Sequence, residues 1–267
     1  MANVIFITGG GSGIGKATAE LFSEKGYRVV IVGRDGEKLK RAAKDVEAKG
    51  GECWPIALDI GDAKAVHSCI EEVVKKWTKI DVLVNNAGLA LGSPKPFHEQ
   101  TIEDIQTVIN TNIMGTLMVT HAVLQQSMMK QDKGGRGTII NISSITGLEA
   151  PPMGEATYHT SKTAMEGFSN VLRQETIGSN VRVLVVRPGF VGGTTNFHGN
   201  RLNDKEAEKD VFEGLEPVLE TDVAKAVEYL VDAPERVSVK AIDVVPTAQR
   251  SLPTVDRQWN ERNSVKQ

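Results

Sequence analysis

Seven short, β-branched apolar runs recur along the chain, separated by amphipathic stretches of helical length. The runs are Val4–Ile7, Arg28–Val32, Glu52–Leu58, Val82–Val84, Thr138–Ile142, Val181–Val186 and Lys240–Val245. Their hydrophobicity is continuous rather than alternating, as in strands buried on both faces of a parallel sheet. Helices are predicted over 13–25, 36–49, 62–77, 101–130, 157–178 and 221–232. Strand–helix alternation implies βα units. The predicted fold class is therefore α/β: a doubly wound parallel sheet of about seven strands, with helices on both faces, in one domain over 1–250. Two regions break the rhythm. Residues 190–215 carry Gly192, Gly193 and Gly199 and are long for a βα connection, as substrate loops at strand ends often are. Residues 251–267 form a polar tail, either partly disordered or packed on a neighbouring subunit.

Composition narrows the function classes. Of 267 residues, 40% are hydrophobic, ample for a buried core; the net charge of −3 is unlike that of a nucleic-acid binder. No apolar stretch reaches membrane-span length, so a soluble, cytoplasmic protein is expected. The two cysteines, Cys53 and Cys69, have no metal-ligand spacing and read as small buried or half-buried thiols. No metal site is expected.

Thr8-Gly9-Gly10-Gly11-Ser12-Gly13-Ile14-Gly15 directly follows the first strand and opens the first helix. Glycines there let the backbone turn sharply and approach a pyrophosphate, to which the helix N-terminus presents N–H groups. A purely structural turn is the plain alternative. The position between first strand and first helix favours a Rossmann-type dinucleotide site. Cofactor choice then falls on the end of the second strand, which reads Gly33-Arg34. No acid stands there to hold ribose hydroxyls, and Arg34 can pair with the 2′-phosphate of NADP. Asp35 reads as the cap of the next helix. Asp59, closing the third strand, can accept from an adenine amino group or start a helix.

Tyr158 and Lys162 lie four apart at the start of a predicted helix, on one face. A tyrosine pKa of about 10 is too high for a base at neutral pH, and a neighbouring ammonium lowers it. Such a pair suits proton transfer in a carbonyl/alcohol couple, although Tyr-x-x-x-Lys also arises by chance. Its surroundings add weight. Asn85-Asn86-Ala87-Gly88, Ser143-Ser144 and Arg187-Pro188-Gly189 end successive strands, where ligands bind in α/β sheets. Asn112 sits within a predicted helix, where a buried amide needs a reason.

Together, Thr8-Gly9 through Gly13-Ile14-Gly15, Asn85–Gly88, Asn112, Ser144, Tyr158/Lys162 and Pro188-Gly189 resemble the short-chain dehydrogenase/reductase family over nearly the whole chain. The resemblance implies an NADP(H)-dependent oxidoreductase. Tyr158 would be its general acid in reduction, and Lys162 would bind the nicotinamide ribose and hold the tyrosine pKa down. Ser144 would bond the substrate oxygen, and Asn112 would hold a proton-relaying water. It places Gly9, Gly11, Ser12, Gly13, Ile14 and Gly15 at the pyrophosphate, and Asn86, Ala87 and Gly88 near the adenosine ribose. Pro188, Gly189 and Val191 would line the nicotinamide, with Thr194 or Thr195 at its carboxamide. Two departures stand out. Fourteen positions separate Ser144 from Tyr158, one more than the family pattern, which leaves Ser143 as an alternative. Ser12 also occupies a place where some NADP-using members carry a basic residue, so NADP selection would rest largely on Arg34.

The stretch Phe197-x-x-x-Arg201 followed by Glu213-Gly214-Leu215-Glu216-Pro217 resembles the loop of NADP-dependent 3-hydroxy acid (serine-type) dehydrogenases. Arg201 could grip a substrate carboxylate, or pair with Asp204 or Glu206 at the surface. Gly199 and the Glu149–Glu155 loop depart from that subgroup. The runner-up is a broader carbonyl reductase of ketones or β-keto esters. A third reading, a non-catalytic NADP-binding regulator, is opposed by the full Asn112/Ser144/Tyr158/Lys162 set. The resemblance also implies a homotetramer or homodimer, for which Met114, Leu117, Met118, His121, Leu124 and Gln125 offer a mixed apolar face; such faces are more often core.

Overall fold

The computed structural model describes residues 2–92, 95–132, 134–150, 154–193, 197 and 212–263. Strands β1 (Val4–Thr8), β2 (Arg28–Gly33) and β3 (Cys53–Ala57) alternate with helices α1 (Gly13–Glu24), α2 (Gly36–Glu47) and α3 (Ala63–Trp77). Then follow β4 (Val82–Asn85), α4 (Ile102–Ile109), α5 (Thr116–Gln126), β5 (Arg136–Ile142), α6 (Ala156–Glu175) and β6 (Asn180–Pro188). The chain continues through the short pair β7 (Val191–Gly192) and β8 (Val218–Leu219), then α7 (Glu220–Asp232), β9 (Ala241–Val244) and α8 (Trp259–Asn263).

Seven strands form one sheet in the order β3-β2-β1-β4-β5-β6-β9, parallel throughout. β1 pairs with β2 on one side and β4 on the other, so the strand order reverses there and a crevice opens at their carboxyl ends. Every residue of β1 is buried, because both faces of the sheet are covered. Ile5 and Ile7 pack with Phe22, Leu39, Val223 and Val227 from α1, α2 and α7. Val4 and Phe6 point the other way, to Ile70, Val73, Val119, Val123 and Leu172 from α3, α5 and α6. The two-residue side-chain period of a strand thus feeds two cores at once. Cys53 and Cys69 are buried in these cores as thiols, and burial pushes both up to about 12. No helix among the described residues is long and apolar enough to cross a membrane.

Two features differ from the sequence expectation. The helix predicted over 101–130 is broken by a π-helical turn, Asn110–Gly115, between α4 and α5, and closes in a 3-10 turn at Met128–Lys130. Such a widened turn re-aims side chains and recurs at functional sites; here it carries Asn112. Gly115 allows it, since a Cβ there would lie 2.5 Å from Ile60 Cγ1. The tail also folds back on its own chain through Asn263. Asp256 N donates to Ala248 O (2.9 Å), Asn260 N to Gly214 O (3.1 Å) and Leu252 N to the Glu149 carboxylate (2.6 Å). These bonds satisfy backbone groups that a polar segment would otherwise give to water.

Behind the crevice, a buried amide chain joins the sheet to α5 and α6. Asn85 Nδ2 donates to Asn141 Oδ1 (2.8 Å) and Thr120 Oγ1 (2.9 Å), and Asn141 Nδ2 donates to Ser169 Oγ (2.8 Å). Asn141→Leu keeps the branching and the number of heavy atoms but removes two of these bonds inside the core. It should cost about 2 kcal/mol, read as a lower denaturation midpoint with unchanged far-ultraviolet dichroism. An unaltered midpoint would mean that the chain of amides adds no stability.

Candidate active site

The crevice deepens into a cavity of about 920 Å³ running across the carboxyl ends of β1, β2, β4, β5 and β6. At one end lies the glycine turn. Gly9 has φ +68°, and its N–H bonds Val32 O at 2.8 Å. A Cβ on Gly15 would lie 2.4 Å from Gly9 O, so only glycine lets α1 start this close to the turn. Ser12 makes no side-chain cap bond, and the first turn of α1 holds no acid. Its opening N–H groups therefore lack a side-chain cap and face the cavity wall formed by Ser12, Gly13 and Ile14. Thr8 Oγ1 accepts from both Asn86 N (3.0 Å) and Ala87 N (2.9 Å), and Asn86 Nδ2 donates to Thr8 O (2.9 Å). This clamp ties β1 to the exit of β4 and makes Asn86 a holder of the turn as well as a wall of the cavity.

Arg34 lines the same end, joined by Lys38 one helical turn later on α2. The Lys38 stem crosses the glycine turn: a Cβ on Gly11 would meet its Cγ at 3.5 Å. Asp35 is occupied as the α2 cap, accepting from Lys38 N at 2.9 Å. Asp59 also lines the cavity while accepting from Gly61 N at 2.9 Å, and Asp62 is the residue that caps α3. Lys38 was not singled out in the sequence. Its signal was the i, i+4 spacing from Arg34 across a helix start.

At the other end, α6 delivers Tyr158 and Lys162, both buried, to the wall formed by Ser144, Pro188, Gly189 and Val191. The structure pairs the Tyr158 hydroxyl with Ser144 rather than Ser143. Ser144 also accepts from Thr146 N (3.2 Å) and donates to Pro188 O (3.4 Å). Lys162 Nζ donates to Ile142 O at 2.8 Å and lies 5.6 Å from the Tyr158 ring centroid. Burial lowers Lys162 to about 8, with Glu166 opposing the shift. The expectation that Lys162 holds the Tyr158 pKa down is not met in this arrangement. Burial pushes the phenol above its usual value, and the bond with Ser144 offsets only part of that.

Asn112 is buried on the π turn, behind the cavity wall. Its Oδ1 accepts from Leu89 N (3.0 Å), and its Nδ2 donates to Leu89 O (2.9 Å) and Ser161 Oγ (3.0 Å). A Cβ on Gly88 would lie 3.5 Å from both Asn112 Oδ1 and Lys162 Nζ, which places the two side chains around one glycine. Thr194 and Arg201 lie outside the described residues. Sequence reasoning did not single out Glu155 or Leu252, which line the cavity, or Gln249, whose Oε1 accepts from Phe190 N at 3.0 Å. Phe197, read only as part of a loop motif, sets its ring 5.8 Å from that of Tyr158, tilted by 59°. Among the described residues, no group of three His, Cys, Asp or Glu could hold a metal.

The family model for short chain dehydrogenases matches residues 3–205. An NADP-dependent 3-hydroxy acid dehydrogenase of Schizosaccharomyces pombe is 35% identical, over 92% of this chain and 93% of that one. Sulfoacetaldehyde reductase 2 of Chromohalobacter salexigens is also 35% identical, over 96% of this chain and 100% of the other. The closed form of a serine dehydrogenase complexed with NADP+ superimposes with a TM-score of 0.84 at 31% identity, covering 92% of this chain and 96% of that one. The matched order of glycine turn, Asn85–Gly88, Ser144, Tyr158/Lys162 and Pro188-Gly189, on a seven-stranded parallel sheet, leads to one conclusion: the chain belongs to the short-chain dehydrogenase family, oxidoreductases acting on CH–OH groups.

Proposed function

We propose that the chain catalyses hydride transfer between NADP(H) and the carbinol carbon of a short 3-hydroxy acid, of serine or 3-hydroxycarboxylate type. The observation that carries the redox reading is the convergence of Ser144, Tyr158 and Lys162 on one end of a cavity whose other end is a glycine cradle with two cations. The cradle suits a dinucleotide: a side chain at Gly15 would strike the turn, and the uncapped α1 N-terminus suits a pyrophosphate. Arg34 and Lys38 together, with Asp35 engaged as a cap, support a 2′-phosphate over a bare ribose. Thus Lys38 supplies the second cation that Ser12 does not.

The bound nicotinamide supplies or accepts the hydride. In reduction, Tyr158 gives its hydroxyl proton to the substrate oxygen while Ser144 holds that oxygen by a hydrogen bond. Lys162 binds the nicotinamide ribose, and its ammonium favours the tyrosinate left behind. In oxidation the proton returns to Tyr158. Asn112 has one oxygen lone pair beyond the bond to Leu89 and can seat a water against Lys162, giving the proton a route outward.

The acid substrate is supported by the names of similar proteins and by the Phe197-x-x-x-Arg201 motif. A broader carbonyl reductase is the second reading, favoured by the apolar walls that Leu89, Leu91, Phe190 and Leu252 give the cavity. We also propose a homodimer or homotetramer that covers Met114, 39% exposed on the π turn. A monomer by sedimentation equilibrium would reject it.

Tyr158→Phe should lower kcat at least a hundredfold with little change in cofactor affinity. Wild-type rates in that variant would remove the proposed chemistry. Arg34→Ala and Lys38→Ala should each raise the KM for NADPH about tenfold or more and leave that for NADH unchanged; a better rate with NADH in wild type would overturn the NADP assignment. Steady-state rates on serine, 3-hydroxypropionate and simple ketones then separate the acid reading from the ketone reading.

A further inference from the structure

Four residues after Lys162, on the same face of α6, stands Glu166, 8% exposed. Both of its oxygens accept from Arg187 on β6, Oε1 from Nε and Oε2 from Nη2, each at 3.0 Å. Arg187 Nη1 reaches on to Asp243 of β9 at 2.9 Å, across a register pair of those strands. Asp243 is half exposed, so the carboxylate that faces Arg187 from inside the fold is Glu166. Arg173, further along α6, lies in the field of both Glu166 and Arg187. Three cations, Lys162, Arg173 and Arg187, therefore lie within the field of Glu166.

We propose that Glu166 is a positioning residue: by neutralising Arg187 it keeps the buried ammonium of Lys162 charged for the reaction. The proposal rests on the role given to Lys162 above. A guanidinium does not deprotonate in a protein. If Arg187 lost its inner counter-ion, its field would fall on the neighbour that can lose a proton. Lys162, one turn before Glu166 on α6 and within the field of that same carboxylate, is the cation here that can lose a proton, and burial already lowers it to about 8. The other titratable groups around it do not replace Glu166. Tyr158 is neutral below its raised pKa, Glu155 lines the cavity, and His159 Nδ1 bonds the Thr146 carbonyl. Glu103 and Asp104 sit at the outer start of α4, exposed and half-buried. The π turn, the exit of β4 over residues 86–91 and the segment 142–147 contribute no titratable side chain.

A purely structural ion pair, tying α6 to β6, makes a different prediction from a charge-balancing one. Lys162 can be followed by ¹³Cε NMR in the cofactor-free protein, its signal assigned by Lys162→Met. Glu166→Gln keeps the shape and should lower the Lys162 midpoint by about one pH unit or more. Arg187→Met should move it the other way, because Glu166 is left without its cation. The double variant Glu166→Gln/Arg187→Met lacks both charges and should return the midpoint to near wild type, even if its melting temperature is the lowest of the set. The alkaline limb of kcat for ketone reduction should follow the same three shifts. An unmoved midpoint in both single variants, or a double variant displaced as far as Glu166→Gln, overturns the proposal. Should Glu166→Gln fail to fold, Arg187→Met and the double variant still decide it by sign. NMR midpoints that shift while the kcat profile stays fixed would uphold the charge coupling but remove its bearing on the reaction, and so would reject the role given to Lys162.

Discussion

A lysine ammonium inside a protein has few tolerable settings, and much of this site is the setting of Lys162. Burial works against its charge. The structure answers with the Ile142 carbonyl at the end of β5 and with a carboxylate one turn along α6. Ile142 can serve because the β5–β6 register runs to Ile142↔Val186, so the last carbonyl of the strand stands open toward α6. Asn112 pins Leu89 beside the same ammonium, and the π turn lets an amide reach that depth from a helix. Strand register, helix distortion and ion pair are thus parts of one electrostatic solution.

The sheet explains why this solution and the glycine turn share a cavity. Parallel strands end together, and reversing the order between β1 and β4 keeps helices from covering that edge. The Thr8–Asn86 clamp closes the gap from the backbone side, so the crevice has a fixed floor. The buried amides Asn85 and Asn141 hold β4 and β5 to α5 and α6 just behind it. Of the four polar atoms on these two amides, Asn85 Oδ1 alone is left without a partner among the described residues.

Most of the sheet was legible because a doubly covered strand needs an unbroken apolar run, and Val4–Ile7 or Val183–Val186 can be little else. That the candidate residues on strand ends and on α6 would share one cavity was legible for a related reason: glycines, asparagines and a Tyr/Lys pair interrupt or flank those runs at one edge of the sheet. What was not legible depends on distance across the fold. The π turn reads as plain helix, and the close approach of Ile60 that requires a glycine at position 115 comes from another element. Lys38 is marked in the sequence only by its four-residue spacing from Arg34; it is the turn of α2 that brings its stem over Gly11. Arg187 was noted only as the residue before Pro188; nothing local marks Glu166, 21 positions earlier, as its partner. The expectation of a lowered tyrosine pKa counted the ammonium and omitted the burial, which no spacing reveals.

Charge along the cavity is uneven, and the unevenness bears on how the ends divide their work. The chain is net acidic, yet the end beside β2 gathers Arg34, Lys38 and the uncapped N-terminus of α1. An anion entering there gains from all three, while Asp35 is turned into its own helix and Asp59 accepts from Gly61 N. The opposite end has apolar walls, and its described ionisable groups are Tyr158, Lys162 and Glu155. On the proposed function, binding strength is drawn from the cationic end, remote from the reacting carbon, while the other end is left to orient a small polar group among Leu89, Phe190 and Leu252. That division lets the sequence around Phe197 and the tail around Leu252 vary with substrate while the turn Gly9–Gly15 and α6 stay bound to one geometry.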